Sequence, residues 1–183
     1  MKTTVIAAVL AAGIGIGYAV STRAQTSALP VAGYDAAKDI PGAHELPDPK
    51  TDYKVVFDIG TAAKNPATDI NPMLPAIARY VNTLAKHGVP AEHRHIAAVF
   101  HQGGTSVVMN SETFKARNNG QDNPNLAILH ALKQAGVDFR VCGQAILANK
   151  IDPTQVNTDI QVDLWALTTI VNLQSRGYVK VGG

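Results

Sequence analysis

The stretch NLAILHALKQAGVDFRVCG, residues 125–143, decides the fold because it predicts a helix that is followed directly by a buried strand. Leucines recur at helical steps over Asn125–Ala135, and Gly136 is the residue type that most often ends a helix. His130 lies on the apolar face of this helix, so we expect it in the packed core. Val137–Val141 then predicts a strand.

The same alternation of helices and strands extends through most of the chain. Further strands are predicted at Tyr53–Ile59, Ile96–Phe100, Ile160–Val162 and Tyr178–Val181, and further helices over residues 72–87 and Leu164–Gln174. In the last helix Leu164, Leu167, Thr168 and Val171 recur at helical steps, and Trp165 is expected in the core. Such alternation predicts right-handed crossovers and a mainly parallel sheet with helices on both faces, which is an α/β three-layer sandwich.

The first residues of the chain predict export. Lys2, an apolar run from Thr4 to Val20 and the small residues around Ala24 are typical of a signal peptide that is cleaved after Ala24. An uncleaved membrane anchor is the alternative, but the apolar run is at the lower limit of the length that spans a bilayer. We therefore expect residues 1–24 to be removed and the mature chain to be periplasmic.

The charge balance of the mature chain excludes two classes of partner. Residues 1–24 hold two of the 16 basic residues, Lys2 and Arg23, and no acidic residue, which leaves 14 basic and 14 acidic residues. A neutral chain without a run of Lys or Arg has no electrostatic footprint for nucleic acid or for an anionic membrane. We expect neither as a partner once the signal peptide is gone.

Two segments are predicted after the signal peptide. Residues 25–51 contain four prolines and no helical or strand periodicity, so they predict an extended arm or tether. That arm could wrap a neighbouring subunit or hold the domain clear of the export machinery. Residues 52–183 predict one α/β domain of ordinary size.

The carboxyl ends of the strands indicate where a ligand would bind. Ligands of parallel sheets lie beyond those ends, and Asp58, His101 and Cys142 each fall at the end of one of the first three predicted strands. In the flavodoxin-like strand order 2-1-3-4-5, the first strand would separate His101 from Cys142 by two strand spacings, roughly 10 Å at the backbone.

Cys142 is the sole cysteine, so an internal disulfide is excluded and the thiol needs another explanation. It is followed by Gly143 and Gln144, at a turn from a strand into a short helix, where backbone amides would stabilise a thiolate or persulfide anion. One hypothesis is therefore a nucleophilic or sulfur-carrying thiol. The alternative is an inert cysteine, because unpaired cysteine is among the most buried residue types.

His101 is the candidate for carrying a proton, or a positive charge, beside that thiol. Gln102 and Gly103 follow it and would let backbone amides approach a small anion. The alternative is a histidine that only caps a strand end. His93 and His95 lie two residues apart, but solvated histidines are favoured over a metal site, which needs three or four ligands. No metal site and no cofactor is therefore our prediction, and the less favoured alternative is a metal held by Cys142 with histidines of the same or a neighbouring subunit.

Four motifs carry a resemblance to a known family: YKVVFDIG at 53–60, AAVFHQGG at 97–104, NPNLAILHALKQAGVDFRVCGQ at 123–144 and WALTTIVNLQSRGY at 165–178. With them the chain resembles the DsrE/DsrF-like family of sulfur-relay proteins over about residues 52–182. The resemblance implies a flavodoxin-like sandwich that assembles into trimers or hexamers. By it, Cys142 matches the cysteine that carries sulfane sulfur and His101 the histidine after the second strand, here followed by Gln102 before the glycine.

Two functions from different classes follow. The first is an exported sulfur-trafficking protein in which Cys142 takes up sulfur as a persulfide from a donor protein or compound and gives it to an acceptor, either as a carrier or as a sulfurtransferase. The second is a non-catalytic oligomeric module in which Cys142 is structural and the strand ends bind a small anion or a partner protein.

Overall fold

The structure is a computed structural model that describes residues 28–182, so the predicted signal peptide lies outside the described residues. Its strands are β1 (Tyr53–Ile59), β2 (Arg94–Phe100), β3 (Asp138–Cys142), β4 (Ile160–Asp163) and β5 (Val179–Gly182). Its α-helices are α1 (Met73–Lys86), α2 (Ser111–Arg117), α3 (Leu126–Gln134), α4 (Gly143–Ala148) and α5 (Ala166–Ser175). Within this part of the chain, no helix is both long enough and apolar enough to cross a bilayer.

The five strands form one parallel sheet in the order β4-β3-β2-β1-β5. Parallel crossovers are right-handed, so the successive steps from β1 to β4 place α1 to α4 on one face. The return from β4 to β5 runs the other way and places α5 on the opposite face. The predicted flavodoxin-like α/β sandwich is confirmed, but the order 2-1-3-4-5 is wrong for this chain because β2 lies between β1 and β3.

Side chains that alternate along the strands divide the core into two parts. The larger part contains Phe57, Phe100 and Phe139 and packs against α1 and α3, with the rings of Phe100 and Phe139 stacked 5.8 Å apart. The smaller part lies under α5 and contains Val56, Ala97, Val99, Cys142, Ala166, Ile170 and Leu173. In the described part of the chain, α5 is thus the one helix that covers this face of the sheet.

Helix α5 begins at Ala166 and buries a different side from the one predicted. Ala166, Ile170 and Leu173 pack on the sheet, whereas Leu167 and Val171 are exposed. Leu164 and Trp165 precede the helix and are also exposed, so the prediction of Trp165 in the core is wrong. The helix is apolar on two sides, and helical spacing alone selects neither of them.

The sequence pattern also predicts the wrong position for His130. Helix α3 buries Ile128, Leu129 and Leu132, which leaves the His130 side chain 63% exposed. Its Nδ1 atom lies 3.2 Å from the Oδ2 atom of Asp159. The exposed position excludes a core role for this histidine.

The described part of the predicted arm, residues 28–51, contains no helix or strand and lies along α1. The buried amide of Asn82 donates to the carbonyl oxygens of Val31 and Tyr34 at 2.8 and 2.7 Å and accepts from the Val31 amide at 2.9 Å. The Val31 side chain is fully buried in the larger core. This segment therefore packs on its own domain.

Candidate functional site

A cavity of about 410 Å³ opens at the carboxyl ends of the strands on the α5 side. It is lined by Asp58, His101, Gln102, Cys142, Gln144, Ala145, Trp165, Ala166, Leu167 and Ile170. The structure thus brings five predicted site residues to one cavity, from Asp58 on β1 to Gln144 on α4. Gly103 and Gly143, also predicted as binding residues, do not line it.

Strand register explains why His101 and Cys142 line the same cavity. Phe100 on β2 pairs with Val141 on β3, so the residues that follow lie side by side on neighbouring strands. Neighbouring strands are about 4.8 Å apart, which is half the backbone separation predicted for the flavodoxin order. The thiol and the imidazole therefore face one cavity of one subunit without a contribution from a second chain.

Gly103 and Gly143 allow close backbone contacts at the strand ends. A Cβ atom on Gly103 would lie 2.9 Å from the Ala62 amide nitrogen, and one on Gly143 would lie 2.7 Å from the Asp163 carbonyl oxygen. Both distances are shorter than a carbon atom tolerates. The two glycines hold the strand ends together, and the predicted role of their amides in binding an anion lacks support from the cavity lining.

Asp58 is the centre of a hydrogen-bonded group that we name the Asp58 cluster, made of Asp58, His101 and Lys180. The Oδ1 atom of Asp58 lies 2.5 Å from Nε2 of His101, and its Oδ2 atom accepts from Nζ of Lys180 at 2.9 Å. Only 8% of the Asp58 side chain is exposed. Both carboxylate oxygens are engaged, so Asp58 positions His101.

The charge state of Asp58 follows from its surroundings. Burial alone would raise its pKa, but the hydrogen bonds and positive charge of Lys180 and His101 outweigh burial and lower the pKa below the usual value for aspartate. An ionised carboxylate only accepts hydrogen bonds, so Nε2 of His101 carries the proton that is directed at Asp58. Nδ1 is then the ring nitrogen that remains for proton exchange with the cavity.

Lys180 is the site residue that sequence reasoning missed. It lies on β5, which pairs with β1 so that Lys180 is beside Val56, on the same face of the sheet as Asp58. The two partners of this ion pair are 122 residues apart in sequence, so no local motif contains both. Alternation along β5 would have identified Lys180 only once the pairing of β5 with β1 was known.

Cys142 has one apolar side and one polar side. Its residue is 3% exposed, and it packs with Val99, Ala166 and Ile170 under α5. On the cavity side it shares the lining with His101 and amide-bearing residues. Its thiol and the imidazole of His101 share this cavity, and a histidine that a carboxylate orients is a group that can take the proton of a thiol within its reach.

A second group, the Arg140 cluster, lies on the same face of the sheet and consists of Arg140, Asp138, Asp163 and Thr169. Arg140 contacts Asp138 at 2.8 Å and Asp163 at 3.3 Å, and Asp163 accepts from the Thr169 hydroxyl at 2.7 Å. Partial burial would lower the pKa of Arg140, but the two carboxylates outweigh it and raise the pKa. This cluster ties α5 to β3 and β4.

The remaining histidines near strand starts do not form a metal site. Nε2 of His93 and Nε2 of His95 lie 4.0 and 3.8 Å from the same carboxylate oxygen of Asp52. Across residues 28–182, no three His, Cys, Asp or Glu side chains are placed to hold a metal ion.

Comparison with known proteins identifies relatives of the fold and of the sequence. The family model described as DsrE/DsrF-like family matches residues 54–181. The chain is similar in structure to a protein of unknown function from Methanobacterium thermoautotrophicum, with a TM-score of 0.54 and 22% sequence identity. That likeness covers 71% of this chain and 98% of the other. No curated protein sequence matches the chain.

Proposed function

Because the chain belongs to the DsrE/DsrF-like family, which is generally associated with sulfur relay, we propose that Cys142 accepts sulfane sulfur as a persulfide and passes it to an acceptor. The observation that carries the proposal is that Cys142 and His101 line one cavity, with His101 held by the ionised Asp58. A site for sulfur transfer needs a nucleophilic sulfur and a group that moves its proton. The thiol of Cys142 and the imidazole of His101, at the ends of neighbouring strands, would supply these two groups.

The proposed uptake step needs only groups at the site and a donor of the form R–S–SH. His101 accepts the thiol proton at Nδ1 while Sγ of Cys142 attacks the outer sulfur of the donor. The S–S bond of the donor breaks, a new S–S bond forms on Cys142, and the leaving R–S⁻ takes the proton from His101. The products are Cys142–S–SH and R–SH, so no external oxidant or reductant is consumed.

Mass spectrometry of the purified protein tests this proposal. After incubation with a sulfane-sulfur donor, we expect a mass gain of one sulfur atom that maps to Cys142 and disappears on reduction. Cys142→Ser should abolish the gain and leave the fold intact, because the two side chains are nearly isosteric. A gain that persists in Cys142→Ser would contradict the proposal.

We also propose that the chain is exported. The first residue of the recovered protein tests this part of the proposal. If residues 1–24 form a cleaved signal peptide, the protein recovered from the periplasmic fraction has a mass that begins at Gln25. Protein that retains Met1 in a membrane fraction would favour the anchor instead.

A second candidate function is a non-catalytic oligomeric binding module. The small exposure of Cys142 favours a structural cysteine, and the outward residues of α5, Leu167 and Val171, favour association with another copy. Alkylation of Cys142 in the native protein separates the two candidates. A thiol that reacts only after unfolding would support the binding module.

A further inference from the structure

We infer that the sulfur donor is a small organic persulfide, whose apolar group packs against Trp165, Leu167 and Ile170, and not an inorganic sulfur dianion such as thiosulfate. The inference rests on the proposed function of Cys142 and names the substrate class of the same cavity. It follows from the charges that line the cavity and from the apolar residues of its wall.

The charges that line the cavity disfavour a dianion. Among residues 28–182, Asp58 is its one acidic lining residue, His101 is its one basic residue, and no Lys or Arg lines it. Lys180 donates to Asp58 and is not part of the lining. With His101 neutral, the Asp58–Lys180 pair and the rest of the lining carry no net charge. A dianion would lose hydration there, beside a carboxylate that already engages Lys180, and no Lys or Arg among the lining residues replaces that hydration.

The opposite wall of the cavity suits an organic group. It is formed by Ala145, Trp165, Ala166, Leu167 and Ile170. Trp165 is 50% exposed and Leu167 is 55% exposed, so both offer apolar surface that a ligand would remove from water. The volume of about 410 Å³ is within the range of small-molecule sites.

Polar groups at the edge of the cavity complete the fit. Gln102 and Gln144 supply neutral amide donors and acceptors, which bind uncharged polar groups without requiring an ion.

The proton balance also differs between the two donor classes. An organic persulfide leaves as neutral R–SH after it takes the proton from His101, whereas thiosulfate would leave sulfite, an anion, beside Asp58.

The test compares benzyl persulfide with thiosulfate at equal concentration and follows the gain of one sulfur on Cys142 by intact mass. We expect benzyl persulfide to load at least about tenfold faster than thiosulfate. Trp165→Ala should slow loading from benzyl persulfide by about two- to tenfold, the factor for one lost aromatic contact, and leave thiosulfate unaffected. Val171→Ala is the control, since Val171 is also an apolar residue that is 50% exposed, but it lies outside the cavity lining.

The outcomes separate this inference from the proposed function. Loading of Cys142 by thiosulfate at a rate equal to or above that of benzyl persulfide would overturn the inference and leave the sulfur-carrier proposal standing. Equal effects of Trp165→Ala and Val171→Ala would overturn it as well. If neither donor loads Cys142, the proposed function itself fails.

Discussion

The Asp58 cluster and the Arg140 cluster lie on the same face of one sheet, yet they are suited to different tasks. Each contains an ion pair whose carboxylate is largely shielded from water. The Asp58 cluster also contains His101, which lines the Cys142 cavity, and histidine is the side chain that exchanges protons most readily near neutral pH. The Arg140 cluster holds an arginine, which keeps its charge throughout, and its contacts reach α5. Similar ion pairs can thus position a proton carrier in one place and fix a helix in another.

Substitution of His101 is expected to have the largest effect on sulfur loading. His101→Gln keeps a polar side chain of similar size but cannot take the thiol proton, so loading of Cys142 at neutral pH should slow by about a hundredfold or more. Loading is measured as the rate of sulfur gain by intact mass. The control is His130→Gln, because His130 is exposed and lies outside the cavity. Equal rates for the two variants would contradict the role of His101.

Asp58→Asn should have the next largest effect. An amide both donates and accepts, so it no longer fixes the proton on Nε2 of His101, and loading should slow by roughly ten- to a hundredfold. The pH dependence of the loading rate should shift as well, which a purely structural role of Asp58 would not cause. An unchanged pH profile in Asp58→Asn would contradict the positioning role of Asp58, which is the difference between the two clusters.

The lowered pKa of Asp58 also predicts how folding stability depends on pH. A carboxylate with a lowered pKa stabilises the fold above its unfolded pKa, about 3.9, and this stabilisation is lost as the pH falls through the folded pKa. At pH 7, Asp58→Asn should reduce the free energy of unfolding by about 1–3 kcal/mol. The difference between wild type and variant in urea unfolding should shrink below pH 4. A difference that stays constant down to pH 3 would contradict this account.

The smallest effect on sulfur loading is expected in the Arg140 cluster. Arg140→Gln removes contacts that tie β3 to β4, and it should lower the free energy of unfolding by about 1 kcal/mol. The loading rate of Cys142 should not change, because Arg140 is outside the cavity lining. Loss of loading comparable to that of Asp58→Asn would show that the two clusters act together.

Local sequence patterns predicted the strands, the three longest helices and part of the site, but not α2. Strand ends that carry Asp58, His101 and Cys142 were identified because parallel strands place their carboxyl ends at one edge of a sheet. The strand order could not be predicted in the same way, because crossovers of similar length are compatible with both 4-3-2-1-5 and 2-1-3-4-5. The separation of His101 from Cys142 was therefore overestimated.

Two further features depend on tertiary contacts that no local pattern encodes. In α5, Ala166 and Ile170 define one apolar side and Leu167 and Val171 another, so only packing on the sheet decides which side is buried. Lys180 reaches Asp58 because β5 pairs with β1 at the far end of the chain. Both features arise from the return crossover that brings α5 and β5 back across the sheet.

The central claim, that Cys142 is a sulfur acceptor, is tested most directly by peptide mapping of the wild-type protein after treatment with benzyl persulfide. The account predicts that the peptide containing Cys142 gains one sulfur atom and loses it on reduction. A Cys142 that stays an unmodified thiol in the native protein, yet is alkylated once the chain is unfolded, would contradict the account and support a structural cysteine in a binding module.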